Sequence, residues 1–90
     1  MKNYIAQSAI LGNVKLGNNI YIGNNSVIGT QPQYVGFDKK KLLKTKFKNL
    51  LVEDNVVIMD LCHIHAGIKR NTKIGKDSMI MSGTHIGHDV

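Results

Sequence analysis

Leu16-Gly17-Asn18-Asn19-Ile20-Tyr21, Ile22-Gly23-Asn24-Asn25-Ser26-Val27 and Ile28-Gly29-Thr30-Gln31-Pro32-Gln33 are three consecutive blocks, and their reading decides the fold. Each block opens on an aliphatic residue followed by glycine, at a step of six residues. A helix repeats at about 3.6 residues and a half-buried strand at about 2. A step of six fits neither alone. It fits a short strand plus a turn, used repeatedly.

The step extends outward from these blocks. Backward it reaches Ile10 and then Tyr4. Forward it returns at Val52, Ile58 and Ile64, and again at Ile74, Ile80 and Ile86. The fifth places hold Ser8, Val14, Ile20 and Ser26, then Val56, Cys62 and Ile68, then Ser78, Thr84 and Val90. Nearly all are small or β-branched. Three units make one triangular coil, with first-position side chains stacked inside and glycine or asparagine at the corners, where left-handed backbone is tolerated. The expected fold is all-β: a parallel β-helix, a single domain over residues 1–90, held together by contacts between neighbouring coils. Residues 34–51 break the step and are expected to form an extended loop. Residues 70–73 are expected to be a four-residue insertion. Loops that leave a rigid scaffold are where function concentrates.

Composition narrows the class. A chain of 90 residues makes one small domain at most, or a piece of a larger one. At 42% hydrophobic and 20% charged it is neither disordered nor collagenous. The single cysteine, Cys62, excludes an internal disulfide and a CxxC site, and is expected to point inward as a small hydrophobe. No apolar run approaches the roughly 20 residues of a membrane span. No charged start followed by an apolar run marks a secretory signal. A soluble cytoplasmic protein is the expectation. The net charge of +6 is local: six of the twelve basic residues are lysines between Lys39 and Lys48, and the remaining six basic residues balance six acids. A uniformly basic nucleic-acid face is therefore excluded. The lysine segment fits an acidic partner, a substrate diphosphate or simple solvation.

All four histidines lie between positions 63 and 88. If the insertion bulges out, the repeat sets Ile64 and Ile86 one coil apart, and coils stack at about 4.8 Å. His63 then sits beside His85, and His65 close to His88, on one outer edge. Imidazole takes a proton from a hydroxyl near neutral pH, and such a base contributes about 10²–10⁴-fold. The bland alternative is a set of solvated corner residues. The rival chemistry is a divalent metal, which three neutral imidazoles with an open fourth position would suit.

Three strings carry a resemblance. Met81-Ser82-Gly83-Thr84-His85-Ile86-Gly87-His88-Asp89-Val90, Ile28-Gly29-Thr30-Gln31-Pro32-Gln33 and Ile64-His65-Ala66-Gly67 resemble the active-site coil, the start of the substrate loop and an intervening motif of the UDP-N-acetylglucosamine O-acyltransferases. These belong to the broad group of hexapeptide-repeat, left-handed β-helix acyltransferases. The left hand comes from this resemblance and runs against the usual right-handed crossover. The resemblance implies a homotrimer that moves an acyl chain from acyl carrier protein, or acyl-CoA, to a sugar hydroxyl of the nucleotide sugar, the first step of lipid A biosynthesis. It implies His88 as base with Asp89 beside it, and His85, His65, Gln33 and His63 as substrate contacts. It implies no cofactor and no metal. Two departures stand out. Tyr34-Val35-Gly36 replaces the family's acid and lysine after Pro-Gln, and the chain stops at Val90, before the coil that supplies an oxyanion contact. The first leaves N-acylation of an amino sugar open. The second makes the chain an expected N-terminal part of a longer enzyme, or else a truncated, non-catalytic fragment.

Overall fold

A computed structural model describes residues 3–10, 14–30 and 48–87. Eleven short strands follow in order: β1 Tyr4–Ile5, β2 Ala9–Ile10, β3 Val14–Leu16, β4 Tyr21–Ile22, β5 Val27–Thr30, β6 Leu50–Val52, β7 Val57–Ile58, β8 His63–His65, β9 Thr72–Ile74, β10 Met79–Ile80 and β11 His85–Ile86. Every third strand falls in the same sheet. The sheets run β1-β4-β7-β10, β2-β5-β8-β11 and β3-β6-β9, with all pairings parallel. Three parallel faces wound by one chain are the parallel β-helix that the repeat predicts. Among the described residues no helix is long and apolar enough to cross a membrane.

Register explains the core. Ile22, Ile58 and Ile80 align in the first sheet, Ile28, Ile64 and Ile86 in the second, and Leu16, Val52 and Ile74 in the third. These columns pack with the corner residues Ile20, Val56 and Cys62 into one apolar interior. Burying each such side chain is worth about 1.5–3 kcal/mol.

The fifth-position corner is polar yet buried, and its bonds explain why. Ser26 Oγ donates to the Met59 carbonyl at 2.9 Å and accepts from the Cys62 amide at 3.1 Å. One coil earlier, Ser8 Oγ donates to the Gly23 carbonyl and accepts from the Ser26 amide. One coil later, the Cys62 thiol reaches the Met81 carbonyl at 3.2 Å. Each corner side chain thus donates to the next coil, and a buried hydroxyl or thiol is satisfied there. Cys62 is inward and buried, as its place in the repeat predicts.

Four expectations are corrected. Tyr4 is not an inward first-position residue: it is 61% exposed and aligns with Tyr21, while Ile5 aligns with Ile22. The two tyrosine rings stack outside at 5.3 Å, which the one-residue shorter first block permits. The segment expected to leave the coil at 34–51 ends sooner, because Leu50 and Leu51 pair with Val14 and Lys15 in β6. Leu50 is fully buried, so it is a core strand residue; residues 31–47 lie outside the described residues. The insertion is not 70–73: Thr72 and Lys73 align with Leu50 and Leu51, so the extra residues fall between His65 and Thr72.

The last correction concerns the corners. Gly17 and Gly23 do not supply the left-handed backbone; Asn19 (φ 60°), Asn25 (φ 58°), Asn55 (φ 61°), Leu61 (φ 59°) and Asp77 (φ 63°) do. Gly23 instead permits close approach. A Cβ there would run into Asp60 Oδ1 and sit 2.9 Å from the Asp60 amide nitrogen. The space is used: Asp60 Oδ1 accepts the Asn24 amide at 2.7 Å, and Asp54 Oδ1 accepts that of Asn18 at 2.8 Å one corner away.

Candidate active site

The second sheet presents the histidines. Alternation along a strand puts neighbours of an inward residue on the other side. Ile64 is inward, so His63 and His65 share the outer side of β8, with ring centroids 4.6 Å apart. Register then brings β11 alongside, with His85 opposite His63 and Ile86 opposite Ile64. The His85 ring lies 5.5 Å from that of His63, edge to face, and 4.9 Å from that of His65. His65 is 1% exposed, His63 is half-buried and His85 is exposed.

The juxtaposition of His63 and His85 is the one that the repeat predicts. Gln33, His88 and Asp89 lie outside the described residues, so their places in the site are not described. The same holds for the lysine segment up to residue 47; Lys48 is exposed.

One site residue carries no repeat signal. Thr30 Oγ1 lies 2.9 Å from His63 Nε2. Strict alternation from inward Ile28 would turn Thr30 inward as well. The register instead shifts between Ile28 and Thr30, so that Thr30 aligns with His65. Gly29 is the extra residue, at φ 93°, a conformation suited to glycine in a β-bulge. Bulges re-aim side chains next to active sites, and this one turns Thr30 toward the histidines. The available signal was Gly29 followed by a hydroxyl residue in a block that otherwise keeps the repeat.

Electrostatics favour a neutral His63. Burial, and then the nearby rings of His65 and His85, hold the His63 imidazole below its ordinary pKa. A neutral ring keeps a lone pair, so it can accept a proton or bind a metal. The three histidines each offer one nitrogen, and these atoms lie within 4.8 Å of one another.

A hexapeptide-repeat β-helix with histidines converging on one outer face defines the class of the protein. Within that class, the chain is similar to acyl-[acyl-carrier-protein]–UDP-N-acetylglucosamine O-acyltransferases. It is 30% identical over 81 residues to the enzyme of Helicobacter pylori strain G27, covering 87% of this chain and 28% of that one. It is 30% identical over 81 residues to the enzyme of Helicobacter acinonychis strain Sheeba, with the same coverage of 87% and 28%. It is 26% identical over 83 residues to the enzyme of Campylobacter concisus strain 13826, covering 89% of this chain and 30% of that one. The chain therefore spans less than a third of the length of these relatives. No protein-family profile and no solved structure matches it.

Proposed function

We propose that this chain is part of an acyltransferase that moves an acyl group from an acyl-carrier thioester to a hydroxyl of UDP-N-acetylglucosamine, within lipid A biosynthesis. The observation that carries the reading is the set of aligned histidines on β8 and β11, in a chain similar to O-acyltransferases of that name. The chemistry needs a base at the sugar hydroxyl. An imidazole nitrogen takes the hydroxyl proton as the oxygen bonds to the thioester carbonyl carbon. The C–S bond then breaks, and the imidazolium returns its proton to the leaving thiolate. His88 is the proposed base and Asp89 its neighbour, with His85, His65, His63 and Gln33 as substrate contacts. Thr30 fixes the ring of His63.

The proposed assembly is a cytoplasmic homotrimer, with acyl carrier protein or acyl-CoA as donor. Tyr4, Tyr21, Val57 and Met79 form a column along the first sheet, and the tyrosines and Met79 are exposed large apolar side chains. Such a column suits subunit packing. The test is acyl transfer by the natural gene product, with UDP-N-acetylglucosamine and acyl carrier proteins of several chain lengths. Ester product falling by about 10²-fold or more in His88→Ala supports the reading. A near-normal rate in that variant overturns it. N-acylation of an amino sugar is the second reading, left open by the departure Tyr34-Val35-Gly36 in the substrate loop. Amide product on an amino-sugar nucleotide, without ester, would select it.

A further inference from the structure

We propose that His63, His65 and His85 form a binding site for one divalent transition-metal ion of the zinc type. The proposal goes beyond acyl transfer and does not depend on it.

Three observations carry it. First, the ligands come from rigid elements. His63 and His65 flank inward Ile64 on β8, and parallel register fixes His85 on β11 beside them. Second, one nitrogen from each ring lies within 4.8 Å of the others. Tetrahedral zinc at 2.0–2.1 Å from each nitrogen needs ligand atoms about 3.3 Å apart. The separations therefore exceed that spacing by at most about 1.5 Å, and His85, the exposed member, is the ring with most room to move. Third, a metal-bound histidine needs its other ring nitrogen held. Thr30 Oγ1 stands 2.9 Å from His63 Nε2. With Nε2–H donating to Thr30, the lone pair for the metal is on Nδ1.

The donor chemistry selects the ion. An all-imidazole set suits zinc, cobalt, nickel and copper, whereas magnesium and calcium prefer oxygen. Three protein ligands leave one tetrahedral position open for water or a ligand oxygen. The Gly29 bulge, which turns Thr30 to this face, becomes part of the site's construction.

The experiment titrates the untagged gene product, stripped with chelator, with Co²⁺ followed by visible spectroscopy, then displaces Co²⁺ with Zn²⁺ in a calorimeter. No substrate is present, so failure of the acyl-transfer reading does not affect the result. The expected result is one ion per chain, with the d–d bands of four-coordinate Co²⁺. His63→Ala and His85→Gln should each weaken binding at least tenfold, and Thr30→Val by about tenfold, as partners of metal-bound histidines do. Both histidine variants should keep the far-ultraviolet spectrum of the parent. Unchanged affinity in both, octahedral Co²⁺ bands alone, or one ion per three chains would each overturn the single-chain site.

Discussion

His85 lies opposite His63 across adjacent coils, with the two rings edge to face at 5.5 Å. The pairing depends on the chain between them closing one full turn of the β-helix despite its extra residues. It also sets exposed His85 beside more enclosed partners, so His85 can be changed without disturbing the core. We expect His85→Ala to lower acyl-transfer kcat/KM by about tenfold, the value of about one lost hydrogen bond to a charged group. The thermal midpoint should stay within about 2 °C. Steady-state kinetics beside thermal melting check both. An unchanged kcat/KM would remove His85 from the substrate contacts.

Gly23→Ala should destabilise the fold by about 2 kcal/mol or more, as steric clashes in packed interiors do. The added methyl meets Asp60 Oδ1 and the Asp60 backbone, so the two coils must part at that corner. The bond from the Asn24 amide to Asp60 is lost with it. Combining Gly23→Ala with Asp60→Ala should recover only part of the loss, because the backbone contact remains. Urea unfolding of the four proteins in the cycle measures this. Additive effects would mean that the corner relaxes without strain.

The stacking interior was legible in the sequence because a first-position aliphatic must recur wherever the coil closes. Ile22, Ile28, Ile58 and Ile64 needed no other information. What the repeat hid were its irregularities. A one-residue deficit aligns Ile5, not Tyr4, with Ile22. The strand restarting at Leu50 is hidden because its inward neighbour Val52 alone carries the repeat. Asn18-Asn19 and Asn24-Asn25 marked the turns correctly, but Gly17 and Gly23 answer to the carboxylates of the next coil, Asp54 and Asp60, each 37 residues away in sequence. The alignment of His63 with His85 was legible from arithmetic. Thr30 was not, because a bulge at Gly29 changes which way the next side chain faces.

Ser26→Ala should cost about 1–3 kcal/mol, the penalty for unsatisfied buried polar groups. Its hydroxyl serves the Met59 carbonyl and the Cys62 amide at once, in a corner closed to water. Cys62→Ser should be nearly neutral, since a hydroxyl can replace the thiol's donation to the Met81 carbonyl. Chemical denaturation of both variants tests the ladder. Equal losses in the two would mean that volume, not hydrogen bonding, governs this corner.

Leu61→Asn should stabilise the protein by about 1 kcal/mol, the strain of a left-handed residue other than glycine or asparagine. Leu61 sits at φ 59° in a column with Asn25 and Gly83, and is 63% exposed. Little apolar burial is given up in exchange. A thermal midpoint that falls instead would show that Leu61 is covered in the assembled protein, by another subunit or by residues outside the described ones.

The lowered pKa of His63 fixes the sign of a pH effect. The folded state resists protonating this ring, mainly through burial and then through repulsion from His65 and His85. The unfolded state protonates it near pH 6.5, the ordinary histidine value. Above that pH both states hold a neutral ring and the group contributes nothing to the pH dependence. As pH falls below it, the unfolded chain binds a proton that the folded chain does not, so stability declines until the folded pKa is passed. Chelator-treated protein should therefore lose stability between neutral pH and the lower pKa of the folded state, and His63→Gln should flatten that part of the profile. Denaturant midpoints across this range read the slope directly. A parent and variant with parallel profiles would place the proton uptake elsewhere.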